Sequence, residues 1–193
     1  MLRQNLFSVI LGLLPISYIF GTFIVNINIL LIIIIGGILY LKGKRFKISD
    51  VDKLVALFFF YILISGFWNT VEINFLNQSL NENYYILSKS LLFLRYFFFY
   101  LSIRLLVENN FLNFKVIFSF FSLTVLYVCI DVIIQFFYGK NLFGYQSPYE
   151  HKNTGPFIDE AIAGGFIQRF CLYLFFALIA FTSIKKLNLK IYT

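Results

Sequence analysis

The sequence predicts an all-α, polytopic membrane protein of about six transmembrane helices, with both termini in the cytoplasm. Of its 193 residues 60% are hydrophobic and 13% are charged, whereas an ordinary globular chain has about 45–50% apolar and about 25% charged residues. Its apolar runs, such as 58–67 and 172–181, are hydrophobic on every face, while a membrane β-strand would alternate apolar and polar residues. Because lipid offers the backbone no hydrogen-bonding partners, these runs are expected to form helices.

The apolar segments indicate where the helices lie. A single helix over 6–41 would be about 54 Å long, while the hydrocarbon core of a bilayer is about 30 Å thick. We therefore expect this block to break into a hairpin near Gly21-Thr22 and the pair Asn26 and Asn28. The remaining predicted helices cover 53–68, with Ser49-Asp50 as its cap, then 85–106, 114–138 and 161–183.

Positive charge is distributed unevenly along the chain. If the chain crosses six times, eleven of its 16 Lys and Arg residues fall on one side, and only Lys140 and Lys152 lie in loops on the other. Cytoplasmic loops carry the excess of basic residues, so the polar loops 69–83 and 139–160 are expected to face outward. Basic residues at helix ends argue against a nucleic-acid-binding face. The chain is expected to form one transmembrane domain over 1–193.

The sequence offers little for a metal or a disulfide. It has one His and two Cys, and both Cys129 and Cys171 fall inside apolar runs, so they are expected to be buried thiols. No metal site and no cofactor are expected. A cleavable signal peptide is not expected either, since small residues are missing at the end of the first apolar stretch.

Four charged residues lie inside predicted helices: Lys89, Arg95, Asp131 and Arg169. A charge at bilayer depth costs about 2.5–3.5 kcal/mol on insertion scales and indicates a functional site. From the helix rise, Arg95 lies about 15 Å, Arg169 about 12 Å and Asp131 about 10 Å below the outer face, whereas Lys89 lies near that face and can snorkel. Two interpretations stay open. Either Asp131 pairs with Arg95 or Arg169 and fixes helix packing, or the three charges line an outward-open cavity for an anionic ligand such as a pyrophosphate.

Polar residues also form a stripe on the fifth predicted helix. Tyr127, Asp131, Gln135 and Tyr138 recur at helical spacing and are expected to face the bundle interior. The loop that follows has 22 residues with several glycines and prolines, which is long for a simple connection and typical of functional loops. Asp159-Glu160 is expected to begin the sixth helix as its cap and first-turn acid.

These residues form a pattern that resembles a known family. Its parts are Asp131-x-x-x-Gln135, Gly139-x-x-Leu142-Phe143-Gly144 and Gly155-Pro156-Phe157-x-Asp159-Glu160-x-Ile162-Ala163-Gly164. The arrangement resembles the O-antigen ligase and O-antigen polymerase superfamily. Members of that family often carry Arg three residues before the Gly of the last part, where this chain has Lys152 beside His151.

The resemblance implies an enzyme of the bacterial inner membrane that transfers a glycan on its periplasmic face. The donor would be undecaprenyl-pyrophosphate-linked glycan, and the acceptor lipid A–core or another glycan. If the chain is such an enzyme, the predicted depth and charge of the embedded residues suggest their roles. Arg95 and Arg169 are expected to hold the pyrophosphate, Asp131 and Gln135 to orient them, and His151 and Lys152 to meet the leaving diphosphate or the sugar. The predicted substrate-binding residues are therefore Arg95, Asp131, Gln135, His151, Lys152 and Arg169.

Members of the family typically have about ten to twelve membrane helices, with catalytic residues in a later periplasmic loop. The resemblance therefore implies that this chain is an N-terminal part, inactive alone, and that the catalytic residues lie beyond Thr193. Two other functions stay open: a flippase or transporter that uses the embedded charges as a substrate pathway, and a non-catalytic membrane subunit.

Overall fold

The computed structural model describes residues 2–75, 80–158 and 160–187, and this part of the chain contains helices and no strand. The all-α fold class is thus confirmed. The helices are α1 (Leu2–Gly12), α2 (Leu14–Ile19), α3 (Thr22–Leu41), α4 (Asp50–Phe75), α5 (Leu80–Glu108), α6 (Phe114–Tyr138) and α7 (Ala163–Leu187), with a 3-10 turn at Gly155–Phe157.

Four helical stretches in the described chain are long and apolar enough to cross a membrane. Only 17–33% of the residues in each are buried inside the protein, so most of their apolar surface needs another apolar environment. A bilayer provides it. The four stretches are Thr22–Leu41, Asp50–Val71, Ile86–Glu108 and Phe114–Tyr138, and shorter apolar helices cover Gln4–Ile19 and Ala163–Ile179.

The first apolar block breaks where the sequence predicts a break, at Gly21, which has a φ of +100° between α2 and α3. A second break at Leu13 was not expected, and Pro15 stands in the first turn of α2, where its missing N–H costs no hydrogen bond. The assignment of Asn26 and Asn28 to the turn is wrong, because both lie within α3. The buried Asn28 Nδ2 instead donates to Ser17 Oγ at 3.1 Å, which ties α3 to α2.

The polar stretch 69–83, expected to be a loop, is helical over 69–75 and 80–83, and 76–79 lies outside the described residues. The part 69–75 contains neither Gly nor Pro, so no strong helix breaker ends α4 where the chain leaves the apolar region. Ser49 caps α4 as expected, but the helix begins at Asp50 rather than at 53. Ser49 Oγ accepts from the Asp52 N–H at 3.3 Å, and Asp52 Oδ2 accepts from the Ser49 N–H at 2.7 Å, as in a capping box.

The chain divides into two compact units. The first unit comprises Met1–Asn28 and Phe111–Thr193, and in its described part α6 contacts α1, α2, α7 and the 3-10 turn. Ser8, which is fully buried, accepts through Oγ from the Asn113 N–H at 2.6 Å and so joins α1 to the start of α6. The single domain expected over 1–193 stays a prediction.

The second unit comprises Ile29–Asn110, in which α4 packs on α5. Glycines face serines at two close approaches between helices. A Cβ added to Gly36 would lie 2.5 Å from Ser102 Cβ, and one added to Gly66 would lie 2.6 Å from Ser90 Cβ. Small residues let membrane helices approach closely and gain van der Waals contact.

Candidate functional site

Helix α6 positions the polar residues that the sequence singles out. It begins after Asn113, whose Oδ1 accepts from the Lys115 N–H at 3.1 Å, and it ends at Gly139, whose φ is +73°. These two caps match the predicted range 114–138. Between them, Asp131 and Gln135 lie one turn apart on the same face, and both are buried.

Gln135 holds the loop that follows α6. Its side chain is 2% exposed. Its Oε1 accepts from the Gly155 N–H at 2.7 Å, and its Nε2 donates to Thr154 Oγ1 at 3.4 Å. Gly155 has a φ of +57°, and a Cβ added there would lie 2.8 Å from Val132 Cγ2. Only glycine fits both the left-handed backbone and this approach to α6.

Asp131 binds the same loop nearer its start. The side chain has no exposed surface, and its Oδ1 accepts from the Leu142 N–H at 2.7 Å. Its Oδ2 has no hydrogen-bonding partner among the described residues. The ion pair with Arg169, one of the two interpretations offered by the sequence, is not formed, since no salt bridge of the described chain includes either residue.

Asn141 closes the two ends of the loop on each other. Its Nδ2 donates to the Gly155 carbonyl at 2.9 Å, while its Oδ1 accepts from the N–H groups of Phe143 at 3.1 Å and Tyr145 at 2.8 Å. Sequence reasoning missed both Asn141 and the fully buried Thr154. An Asn shortly before Gly144 is a turn signal that could have indicated the first of them. We call Asp131, Gln135, Asn141, Thr154 and Gly155 the loop clamp.

A cavity of about 590 Å³ lies in the first unit next to the clamp. No Lys, Arg or His of the described chain lines it, and its lining is largely apolar. Tyr127, one turn before Asp131 on α6, contributes a polar group, and Thr124 another. The other lining residues are Ile16, Ile19, Phe20, Leu123, Phe143, Tyr145, Pro156 and Ile158. Such a cavity suits an apolar chain better than a phosphate.

None of the four basic residues predicted to bind a ligand belongs to the loop clamp. His151 and Lys152 are exposed on the loop, and Arg169 is exposed on α7. Arg95 belongs to the second unit, where it is half-buried on α5 and its Nη2 donates to Tyr96 Oη at 3.1 Å. Its Nε has no partner among the described residues.

No protein-family model, no curated protein and no solved structure matches this chain.

Two expectations about neighbouring residues need correction. Both thiols were expected to be buried, but Cys171 is exposed and Cys129 is only half-buried. Both cysteines are free. Helix α7 begins at Ala163 rather than at 161, with Glu160 in the turn before it. Asp159, the other residue of the expected cap, lies outside the described residues.

A second polar cluster, in the second unit, was not expected from the sequence. Asp52, 5% exposed, accepts hydrogen bonds from the Tyr100 hydroxyl and from Arg104 Nε, the latter at 3.0 Å. Ser49 adds its Oγ at 2.8 Å. A carboxylate with this many donors is well compensated, and the cluster joins the start of α4 to the last turns of α5.

Proposed function

We propose that this chain is a multi-pass protein of the bacterial inner membrane that takes part in glycan transfer of the O-antigen ligase/polymerase type. The donor is undecaprenyl-pyrophosphate-linked glycan, and the acceptor is lipid A–core or another surface glycan. The observation that supports this most is the loop clamp. Three residues that define the resembling pattern, Asp131, Gln135 and Gly155, belong to one hydrogen-bonded assembly, so the pattern corresponds to a physical unit.

The proposed site combines two chemistries that a prenyl pyrophosphate requires. The 590 Å³ cavity beside Tyr127 offers apolar surface to the prenyl chain. Exposed cations at Lys140 and Lys152 on the clamped loop and at Arg169 on α7 offer charge to the diphosphate, to which an arginine can donate two hydrogen bonds at once. Asp131 and Gln135 position the loop rather than the ligand.

The proposed orientation places the loop 139–160 in the periplasm and the basic segment 42–49 in the cytoplasm. Support comes from the count of long apolar helices. Three candidate spans, Asp50–Val71, Ile86–Glu108 and Phe114–Tyr138, separate these two segments along the chain, and an odd number of crossings puts them on opposite sides. The positive charge of 42–49 then selects which side is cytoplasmic.

The proposal is tested by binding of undecaprenyl pyrophosphate to the protein in nanodiscs, with undecaprenol as the uncharged comparison. We expect the protein to bind the pyrophosphate more tightly than undecaprenol. Lys152→Ala and Arg169→Ala should each lower the affinity for the pyrophosphate about fivefold or more, as expected for the loss of a charge-assisted contact of about 1 kcal/mol. Lys42→Ala, an exposed cation of the opposite segment, is the matched control. Equal affinity for the two lipids, or affinity unchanged in both loop-side variants, would overturn the proposal.

A further inference from the structure

A second and larger cavity lies wholly within the second unit. It has a volume of about 770 Å³ and lies between α3, α4 and α5. Its inner walls are apolar, with Ile33, Ala56, Phe97 and Leu101 among them. Gly37 borders it, and a Cβ added to this glycine would meet nothing within 4 Å. The missing side chain of Gly37 therefore contributes directly to the open space.

One end of this cavity is positively charged. Arg45 and Lys53 line it, together with Tyr40 and Asp52. The segment 42–53 carries five Lys and Arg residues against Asp50 and Asp52. Positive charge is thus in excess where the apolar cavity meets the ends of the helices.

The two acids do not cancel this excess at the cavity. The Asp52 carboxylate is already held by Tyr100, Arg104 and Ser49. Asp50 pairs with Lys53 at 2.7 Å, but the two side chains are 92% and 69% exposed, and exposed pairs of this kind contribute little. A competing anion can therefore displace the Asp50 carboxylate from Lys53.

Arg45 is fixed at the mouth of the cavity. Its guanidinium lies over the Tyr40 ring, 4.0 Å from the ring centre, and its Nη1 donates to the Tyr40 carbonyl at 2.9 Å. Both hydrogen bonds that the guanidinium donates within the described chain come from Nη1. Nε and Nη2 keep their donor capacity for an oxygen anion.

We propose that this cavity binds an anionic phospholipid, with one acyl chain between α3, α4 and α5 and the phosphate at Arg45 and Lys53. An acyl chain needs apolar surface and no polar partner, and the phosphate needs cations at one end only. Basic pockets between membrane helices bind lipid headgroups in this way. The inference is independent of the proposed glycan transfer.

Native mass spectrometry of the full chain, released from detergent micelles, tests the proposal. The probes are phosphatidylglycerol and phosphatidylcholine with identical acyl chains. We expect one retained phosphatidylglycerol per protein, in preference to phosphatidylcholine. Arg45→Ala should lower the retention of phosphatidylglycerol about fivefold, as expected for one basic residue near an anionic lipid, while Lys115→Ala, which removes an exposed cation from the first unit, should leave it unchanged.

The volume of the cavity gives a second arm. Gly37→Leu fills the cavity and should reduce the retention of both lipids, whereas Gly165→Leu, at a glycine that also has nothing within 4 Å of an added Cβ, should not. A phosphatidylglycerol with a photoreactive acyl chain tests the wild-type protein without any substitution. Its crosslinks are expected on the residues of α3 that line the cavity and on Phe97, Leu101 and Leu105 of α5.

Three results would overturn the proposal. The first is equal retention of the two lipids by the wild-type protein. The second is a set of crosslinks confined to residues outside the cavity lining. The third is a dimer that Gly37→Leu abolishes while lipid retention is unchanged, which would mean that a second copy of the chain occupies the cavity.

Discussion

Substitution of Gln135 by Leu is expected to release the loop from α6. The change keeps an apolar stem of similar size but removes the acceptor of the Gly155 N–H, a buried hydrogen bond of 2.7 Å. A buried donor left without a partner costs about 1–3 kcal/mol. The weaker contact from Gln135 Nε2 to Thr154 Oγ1, at 3.4 Å, adds little. Local opening of the loop should therefore become about 5- to 150-fold more frequent.

Hydrogen exchange measured by mass spectrometry on peptides covering 153–158 reports this opening at the Gly155 amide. Gln168→Leu is the matched control, because it makes the same substitution at an exposed position of α7. Exchange in peptides of α4 and α5 should not change. The reasoning would be refuted by exchange at 153–158 that stays at the wild-type rate in Gln135→Leu, or that rises as much in Gln168→Leu.

Two further predictions concern the second unit, and thermal unfolding of the detergent-solubilised protein measures both. Asp52→Ala should lower the midpoint several times more than Asp50→Ala, because Asp52 joins α4 to α5 through Tyr100 and Arg104 while Asp50 is exposed. Similar midpoints would contradict the structural role of the cluster. Gly66→Ala should destabilise the protein by about 1–3 kcal/mol, because the added methyl group overpacks against Ser90. Adding Ser90→Gly removes the clash and should restore stability. A double variant as unstable as Gly66→Ala alone would refute this contact.

The helices could be predicted from the sequence because lipid makes their signal strong. Apolar runs of about 20 residues fix where helices lie, and the local caps Asn113 and Gly139 fix both ends of α6. The stripe of Asp131 and Gln135 on one face followed from helical periodicity alone. The continuation of α4 to Phe75 does not follow from hydropathy, because residues 69–75 are largely polar and yet contain no Gly or Pro that would end the helix.

The contacts of the clamp could not be predicted, because they join residues that only the folded loop brings together. Gln135 and Gly155 are 20 residues apart, and Asp52 and Arg104 are 52 apart. The sequence indicates that Asp131 needs a partner and predicts an arginine, Arg95 or Arg169, because arginine carries the complementary charge. The structure gives it a backbone N–H of the loop instead, since a nearby amide satisfies a buried carboxyl oxygen as well as a side chain does.

Labelling of single cysteines with a membrane-impermeant maleimide tests the membrane topology most directly. In a background with Cys129 and Cys171 replaced by Ala, Lys152→Cys and Lys47→Cys place thiols at exposed positions on the two sides of three candidate spans. We expect intact spheroplasts to label Lys152→Cys, and to label Lys47→Cys only after permeabilisation. Labelling of both residues from the same side would contradict the membrane topology and the proposed site at the outward loop.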